Sequence, residues 1–178
     1  MAGHAKPSLR PLAGSAFRRE LERESLRAKR GRCPLSLALF APRFPKSQDA
    51  RDKEENARNL LRCIEAHTSP CDSLGLLPEM RYALVLPGAG IFGAQTIAAS
   101  ILQSCEQAGI LCTVGIAGAE LSENVCAETL LQQALAALRR SRERDGAINV
   151  YREQAESLSL HKTLVHPHEK RFLFSGGK

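Results

Sequence analysis

Apolar and polar positions alternate along the chain in two distinct patterns. In three segments the apolar residues recur at the spacing of one helix face, as at Leu60, Leu61 and Ile64. Four short runs are continuously apolar and bounded by proline or glycine, which predicts buried strands. A more polar segment, rich in helix formers, precedes them. We predict helices over 15–32, 46–67, 91–108 and 127–146, and strands over 34–42, 81–88, 109–118 and 147–151.

The order of these elements predicts the fold class. The segment SPCDSLGLLPEM is predicted to turn into the strand at 81–88 and to form a hairpin with it. The resulting β-α-β-β-α-β order, with helices on one face of a mainly antiparallel sheet, is typical of an α+β, ferredoxin-like fold. We divide the chain into a disordered basic tail, a linker helix, a folded domain and a C-terminal arm, at 1–14, 15–32, 33–151 and 152–178.

The net charge of +6 lies in the N-terminal part of the chain. Residues 1–32 hold nine Lys or Arg and three acidic residues, whereas the rest of the chain holds equal numbers of basic and acidic residues. A basic arm of this kind is usually solvated, and with 4% aromatic residues and no Trp the chain lacks the composition of a base-stacking surface. No apolar run is long enough to span a membrane, and the N-terminus lacks a secretory signal. We expect a cytoplasmic protein without nucleic-acid or membrane partners.

Six cysteines are scattered through the sequence without a C-x-x-C pair. Because several lie within apolar segments, we expect buried free thiols rather than a zinc site. In one alternative interpretation, the chain is an unrelated enzyme and the H-x-H pair His166-Pro167-His168 binds a metal ion. A solvated turn is the more common role of such a pair, and no third ligand is evident nearby.

A glycine-rich turn follows the strand at 81–88. Gly88, Gly90 and Gly93 are spaced as G-x-G-x-x-G before a predicted helix, the order of a dinucleotide-binding turn. However, Pro87 interrupts the strand, the acid expected about 20 residues later is missing, and too few βα units follow. A Pro-Gly turn whose glycines adopt positive φ angles is the simpler interpretation. A Rossmann-like enzyme remains the weaker alternative.

Taken together, these segments resemble the GGDEF domain of diguanylate cyclases. The resemblance rests on PLSLALFAPRFPK, LGLLPEMRYALVLPGAGIFGA, CTVGIAG and AETLLQQALAALRRSRERDGAINVY, and it spans about residues 18–151. It implies a nucleotidyl-cyclase palm fold entered through the linker helix, with the glycine turn as the loop after the central hairpin. In the family, two GTP molecules are condensed to cyclic di-GMP with Mg²⁺, whose hard oxygen ligands are carboxylates.

The sequence departs from the family pattern at each functional position. The GGDEF signature falls on Pro78, Glu79, Met80, Arg81 and Tyr82, so both glycines are lost and a carboxylate becomes Arg81. The Asp-x-Asp at the end of the first strand becomes Ala41-Pro42-Arg43. The guanine-reading residues fall near Asp49 and Arg58. Of the inhibitory motif R-x-x-D, Asp72 remains, whereas its Arg becomes Ser69.

These losses predict that the chain is not a diguanylate cyclase and needs no Mg²⁺ or other cofactor. We expect a degenerate domain that acts as a protein-binding or dimerisation module in bacterial cyclic di-GMP signalling. Its partner would be a second copy or another signalling protein, buried against the thin apolar face of Phe17 and Leu21. The alternative is a metal-independent sensor of GTP or a cyclic dinucleotide, with Arg43 and Arg81 holding phosphate.

Overall fold

The computed structural model of the chain describes residues 10–45, 48–120, 126–143 and 147–151. Predictions for the arm at 152–178, and for His166 and His168, lie outside these residues. The elements are β1 Leu12–Ala13, α1 Gly14–Gly31, β2 Leu35–Pro42, α2 Ala50–His67, β3 Ser73–Leu77, β4 Arg81–Pro87, α3 Ile91–Gln107, β5 Cys112–Ala119, α4 Ala127–Glu143 and β6 Ile148–Val150.

The strands form one mixed sheet in the order β1-β3-β4-β2-β5-β6. The central strand β2 pairs antiparallel with both β4 and β5. The outer strands β1 and β6 pair parallel with β3 and β5. The predicted hairpin is present, with β3 antiparallel to β4 and Leu77 opposite Arg81. The prediction of an α+β fold with a mainly antiparallel sheet is therefore confirmed.

Helices cover both faces of the sheet. Phe40 of β2 packs in the core formed with α2 and α3, whereas Leu37 and Leu39 of the same strand pack in the core formed with α1 and α4. The sequence prediction of helices on one face is therefore wrong. Burial on both faces explains why β2 is apolar at nearly every position, because neither side of the strand contacts water.

The helix α1 packs on the sheet of its own chain. Phe17 and Leu21 are 0% and 1% exposed and lie in the same core as β2 and α4. The prediction that this face is buried against a partner is therefore wrong, because it is already covered. Along α1, Glu20 and Glu24 pair with Arg23 and Arg27 three residues later, as the sequence predicts.

Part of the N-terminal segment belongs to the sheet. Leu12–Ala13 lies within the segment predicted to be disordered, yet it forms β1 through parallel pairing with Gly75 and Leu76 of β3.

Among the described residues, none of the helices combines the length and the apolar character needed to cross a membrane.

Candidate functional site

The residues predicted to occupy the GGDEF signature positions form the turn between β3 and β4. Pro78, Glu79 and Met80 connect Leu77 to Arg81, and these two residues face each other across the hairpin. Glu79 and Met80 have φ angles of 62° and 57°, in the left-handed region that favours glycine. The backbone thus makes a glycine-type turn without glycine, which stores roughly 1–2 kcal/mol of strain per residue.

Arg81, which the sequence predicts to occupy the position of a signature carboxylate, interacts with its own turn. Its Nη2 lies 2.9 Å from the Glu79 carboxylate, and its Nε donates a hydrogen bond of 3.1 Å to the Pro78 carbonyl. The side chain is 20% exposed, whereas that of Glu79 is 66% exposed. The Arg81 guanidinium therefore stabilises the strained turn.

Tyr82, predicted to occupy the last signature position, has a structural role. It is buried on the α2 side of the sheet, and its hydroxyl donates a hydrogen bond of 3.1 Å to the Ala57 carbonyl. Burial, together with the nearby Glu65 carboxylate, raises the pKa of Tyr82. The side chain anchors α2 to β4 as a neutral phenol.

A cavity of about 420 Å³ separates the signature turn from the end of β2. Arg43 and Phe44, which follow β2, line it together with Glu79 of the turn and Arg142 of α4. Ala41 is fully buried, and the Arg43 backbone N–H donates a hydrogen bond of 2.7 Å to the Leu111 carbonyl. The structure thus brings Arg43 to Glu79 and Arg142 in this cavity, while Arg81 is not among the residues that line it.

Arg142 was missed by the sequence analysis. It lies in the last turn of α4, within a basic run at residues 139–142 that sequence reasoning interprets as helix C-terminal charge. A smaller cavity of about 140 Å³ is also lined by Arg43 and adds Gln48 and Asn56. The Gln48 Oε1 atom is buried without a hydrogen-bond partner. The site therefore combines two guanidinium groups, one carboxylate and side-chain amides.

The remaining family positions have local structural partners. Asp49 is the N-cap of α2 and accepts a hydrogen bond of 2.8 Å from the Asp52 N–H. Arg58 bonds to Glu54 on the same helix at 3.4 Å. Asp72 accepts a hydrogen bond of 2.6 Å from the Ser69 N–H, which closes the turn before β3. Asp49, Arg58 and Asp72 are not among the residues that line the two cavities at Arg43.

The glycine turn after β4 contains a carboxylate from the same chain. Gly88 has a φ of 77°, and Gly90 is the N-cap of α3. Glu120 Oε1 accepts a hydrogen bond of 2.8 Å from the Ile91 N–H, and the carboxylate occupies the space where a Gly90 Cβ would lie. In addition, β4 and β5 are separated by the antiparallel β2. The Rossmann-like alternative is wrong, because neither the sheet nor the helix N-terminus matches it.

The six cysteines fall into three groups by exposure. Cys105 and Cys112 are buried, as predicted, and Cys63 is partly buried, whereas the prediction of burial is wrong for Cys33, Cys71 and Cys126, which are exposed. Burial raises the pKa of Cys112 to about 12 and also raises the pKa of Cys105. Within the described ranges, no group of three or more His, Cys, Asp or Glu residues is arranged to hold a metal ion.

Comparison with solved structures identifies the fold. The active GGEEF domain of a diguanylate cyclase from Vibrio cholerae matches with a TM-score of 0.72 and 18% identity, over 81% of this chain and 99% of that chain. The GGDEF domain of DgcB from Caulobacter crescentus, in complex with c-di-GMP, matches with a TM-score of 0.69 and 15% identity, over 84% and 99%. The chain therefore has the GGDEF, or nucleotidyl-cyclase palm, fold.

A third match comes from a protein complex. The diguanylate cyclase SiaD from Pseudomonas aeruginosa, in complex with its activator SiaC, matches with a TM-score of 0.68 and 16% identity, over 80% of this chain and 61% of that chain. No protein-family model matches the sequence, and no curated protein matches it either. The similarity is therefore one of fold.

Proposed function

We propose that the chain is a catalytically inactive GGDEF-like domain that acts by binding a protein partner in cyclic di-GMP signalling. The observation that carries this proposal is the signature turn. At the position of a family carboxylate stands Arg81, whose guanidinium is paired with Glu79 and with the Pro78 carbonyl. A turn closed by its own ion pair presents neither the carboxylate nor the glycine backbone on which the family's chemistry depends.

The donor atoms of the site do not fit the Mg²⁺ that the family fold implies. Mg²⁺ is held by hard oxygen ligands such as carboxylates. The corresponding positions hold Ala41 and Arg43 at the end of β2 and Arg81 in the hairpin. Glu79 is the one carboxylate that lines the main cavity, and it is paired with Arg81. We therefore assign no step to a metal ion and no cyclase activity to the chain.

The proposed partner is a protein of the same signalling system, either an active cyclase or a second copy. The fold itself is compatible with such assembly, since SiaD forms a complex with an activator protein. The earlier candidate surface, Phe17 and Leu21, is excluded because both residues are buried in the chain's own core. The exposed signature turn, centred on Glu79, is the surface we assign to recognition instead.

An activity and mixing experiment tests this proposal. The chain is incubated with GTP and Mg²⁺, alone and with an active diguanylate cyclase, and cyclic di-GMP is quantified. We expect no product from the chain alone, together with a concentration-dependent change in the cyclase rate or a complex in sedimentation. Glu79→Arg should abolish that effect, whereas Glu128→Arg, at an exposed position at the opposite end of α4 from Arg142, should not. Product formation by the chain alone would contradict the assignment of inactivity.

A second candidate function is metal-independent binding of a phosphorylated nucleotide. It is favoured by the cavity that Arg43 and Arg142 both line, because guanidinium groups bind phosphate without a metal. Titration calorimetry with GTP and cyclic di-GMP, in Mg²⁺ and in EDTA, tests it. Binding that is insensitive to EDTA and lost in Arg43→Ala/Arg142→Ala, but retained in Arg139→Ala, supports it. Absence of heat in all four titrations rejects it.

A further inference from the structure

A groove beside the edge of the sheet adjoins the smaller cavity at Arg43, since Gly109, Ile110 and Leu111 line both. It has a volume of about 530 Å³ and lies between the C-terminal half of α3, the start of β5 and the start of β6. Leu102, Ile110 and Ile148 contribute apolar surface, and Glu106 is the one charged residue in its lining. Leu111, which also lines the groove, is 66% exposed.

The strand β6 borders this groove and forms one edge of the sheet. The Val114 N–H donates to the Ala147 carbonyl, and the Tyr151 N–H donates to the Ile116 carbonyl, each at 2.7 Å. The backbone groups of Ala147 and Tyr151 therefore face β5. Because the backbone alternates in direction along a strand, those of Ile148 and Val150 face outward. On that side no strand of the described residues pairs with β6.

We propose that the groove and the free edge of β6 together form a docking site for the chain's own C-terminal segment, residues 152–178. The chain leaves β6 at Tyr151, directly beside this edge, and 27 residues follow. An extended chain spans about 3.3 Å per residue, so a short connection is sufficient to return the segment along the three residues of β6. The proposal does not depend on the proposed function.

The sequence of the segment matches the chemistry of the site. Leu158 and Leu160 alternate with Ser157 and Ser159, the pattern of a strand with one apolar side. Ile148 and Val150 pack against the core on the α3 side of the sheet. Apolar side chains added at the β6 edge on that side would cover the exposed Leu111. In the next residues Lys162 supplies a charge opposite to that of Glu106.

Residue-resolved hydrogen exchange of the full chain tests this docking. The Ile148 and Val150 amides point away from β5, so an added strand is needed to protect them. We expect both to exchange at least about tenfold slower than unstructured amides. Leu158→Ser/Leu160→Ser should remove this protection, whereas Ser157→Ala/Ser159→Ala should preserve it. The Leu84 amide, in the central strand β4, should stay protected in every variant and so report an intact fold.

Three results would overturn the proposal. The first is unprotected exchange of Ile148 and Val150 in the unaltered chain. The second is protection that persists in Leu158→Ser/Leu160→Ser. The third is protection that rises with protein concentration, because that behaviour identifies a second copy, rather than the chain's own segment, as the occupant of the edge.

Discussion

The ring of Phe17 in α1 lies directly against Gly75 in β3, in the space that a Cβ at position 75 would occupy. The absence of a side chain on β3 thus allows an aromatic residue of α1 to reach the sheet. Gly75 also pairs with Leu12 of β1. One glycine therefore determines how the N-terminal part of the chain joins the fold.

This relationship predicts that Phe17 contributes to stability rather than to association. Phe17→Ala should lower the free energy of unfolding by about 3–5 kcal/mol, because a fully buried ring is lost and a cavity remains. Gly75→Ala should lower it by about 1–3 kcal/mol through overpacking against the ring. Leu26→Ala, on the exposed side of the same helix, should change it by less than about 0.5 kcal/mol. Urea denaturation measures all three, and equal effects of Phe17→Ala and Leu26→Ala would contradict the packing.

The second prediction concerns the strained signature turn. Glu79→Gly should raise the free energy of unfolding by about 0.5–1 kcal/mol, since glycine adopts the φ of 62° without the penalty of a Cβ. Glu79→Gln keeps the Cβ and removes only the charge facing Arg81, so it should change stability by about 0.5 kcal/mol or less. The same denaturation experiment separates strain from charge. A destabilised Glu79→Gly protein would show that the ion pair outweighs the strain.

A third prediction tests the role of Glu120 at the N-terminus of α3. Glu120→Ala should lower stability by about 0.5–2 kcal/mol, because the Ile91 N–H loses its acceptor and the positive end of the helix dipole loses a negative charge. Gln103→Ala, at an exposed position in the C-terminal half of α3, should change stability by less than about 0.5 kcal/mol. Thermal unfolding of both variants is the measurement. Equal shifts of the two midpoints would exclude a capping role for Glu120.

The fourth prediction uses the thiols. Hydrogen bonds from the Thr129 and Glu128 backbone N–H groups at the start of α4 lower the pKa of the exposed Cys126, whereas burial raises that of Cys112 to about 12. Because the thiolate is the reacting form, iodoacetamide should label Cys126 well before Cys112 at neutral pH. Peptide mass mapping over time gives the order. Prompt labelling of Cys112 in folded protein would contradict its burial.

The same pKa shift has a consequence for stability against pH. The folded-state pKa of Cys112 lies above the ordinary value of 9.0, so burial of the neutral thiol stabilises the fold fully below about pH 9. That contribution should be lost as the pH rises from about 9 to about 12. Cys112→Ala should reduce this pH dependence, and denaturation between pH 8 and 10.5 compares the two proteins. An identical pH dependence of the free energy of unfolding in both proteins would show that folding does not change the pKa of Cys112.

Several features of the fold were predictable because they depend on local patterns. The apolar run around Leu37 and Phe40 marked β2, although only the structure shows that opposite faces of this strand enter two different cores. The spacing of Leu60 and Ile64 marked α2. By contrast, the two-residue β1 has no pattern of its own, because it is held by pairing with Gly75 and Leu76.

The candidate site was only partly predictable. The sequence placed Arg43 and Arg81 at family metal positions, yet it could not show that Arg81 pairs with Glu79 in the turn. Nor could it bring Arg142, about a hundred residues later in the chain, to Arg43. Such groups meet through the packing of α4 on the sheet, which no local spacing encodes.

The sequence by itself therefore determined the order and type of the main helices and strands, because these follow from residue identity and near-neighbour spacing. Only the tertiary structure decided which charged residues line one cavity, which apolar face is already covered and which strands lie at the edges of the described sheet. Those outcomes depend on contacts between residues far apart in the chain. Two examples are the packing of Phe17 against Gly75 and the hydrogen bond from the Ile91 N–H to Glu120. Neither contact can be predicted from the residues next to these positions in the sequence.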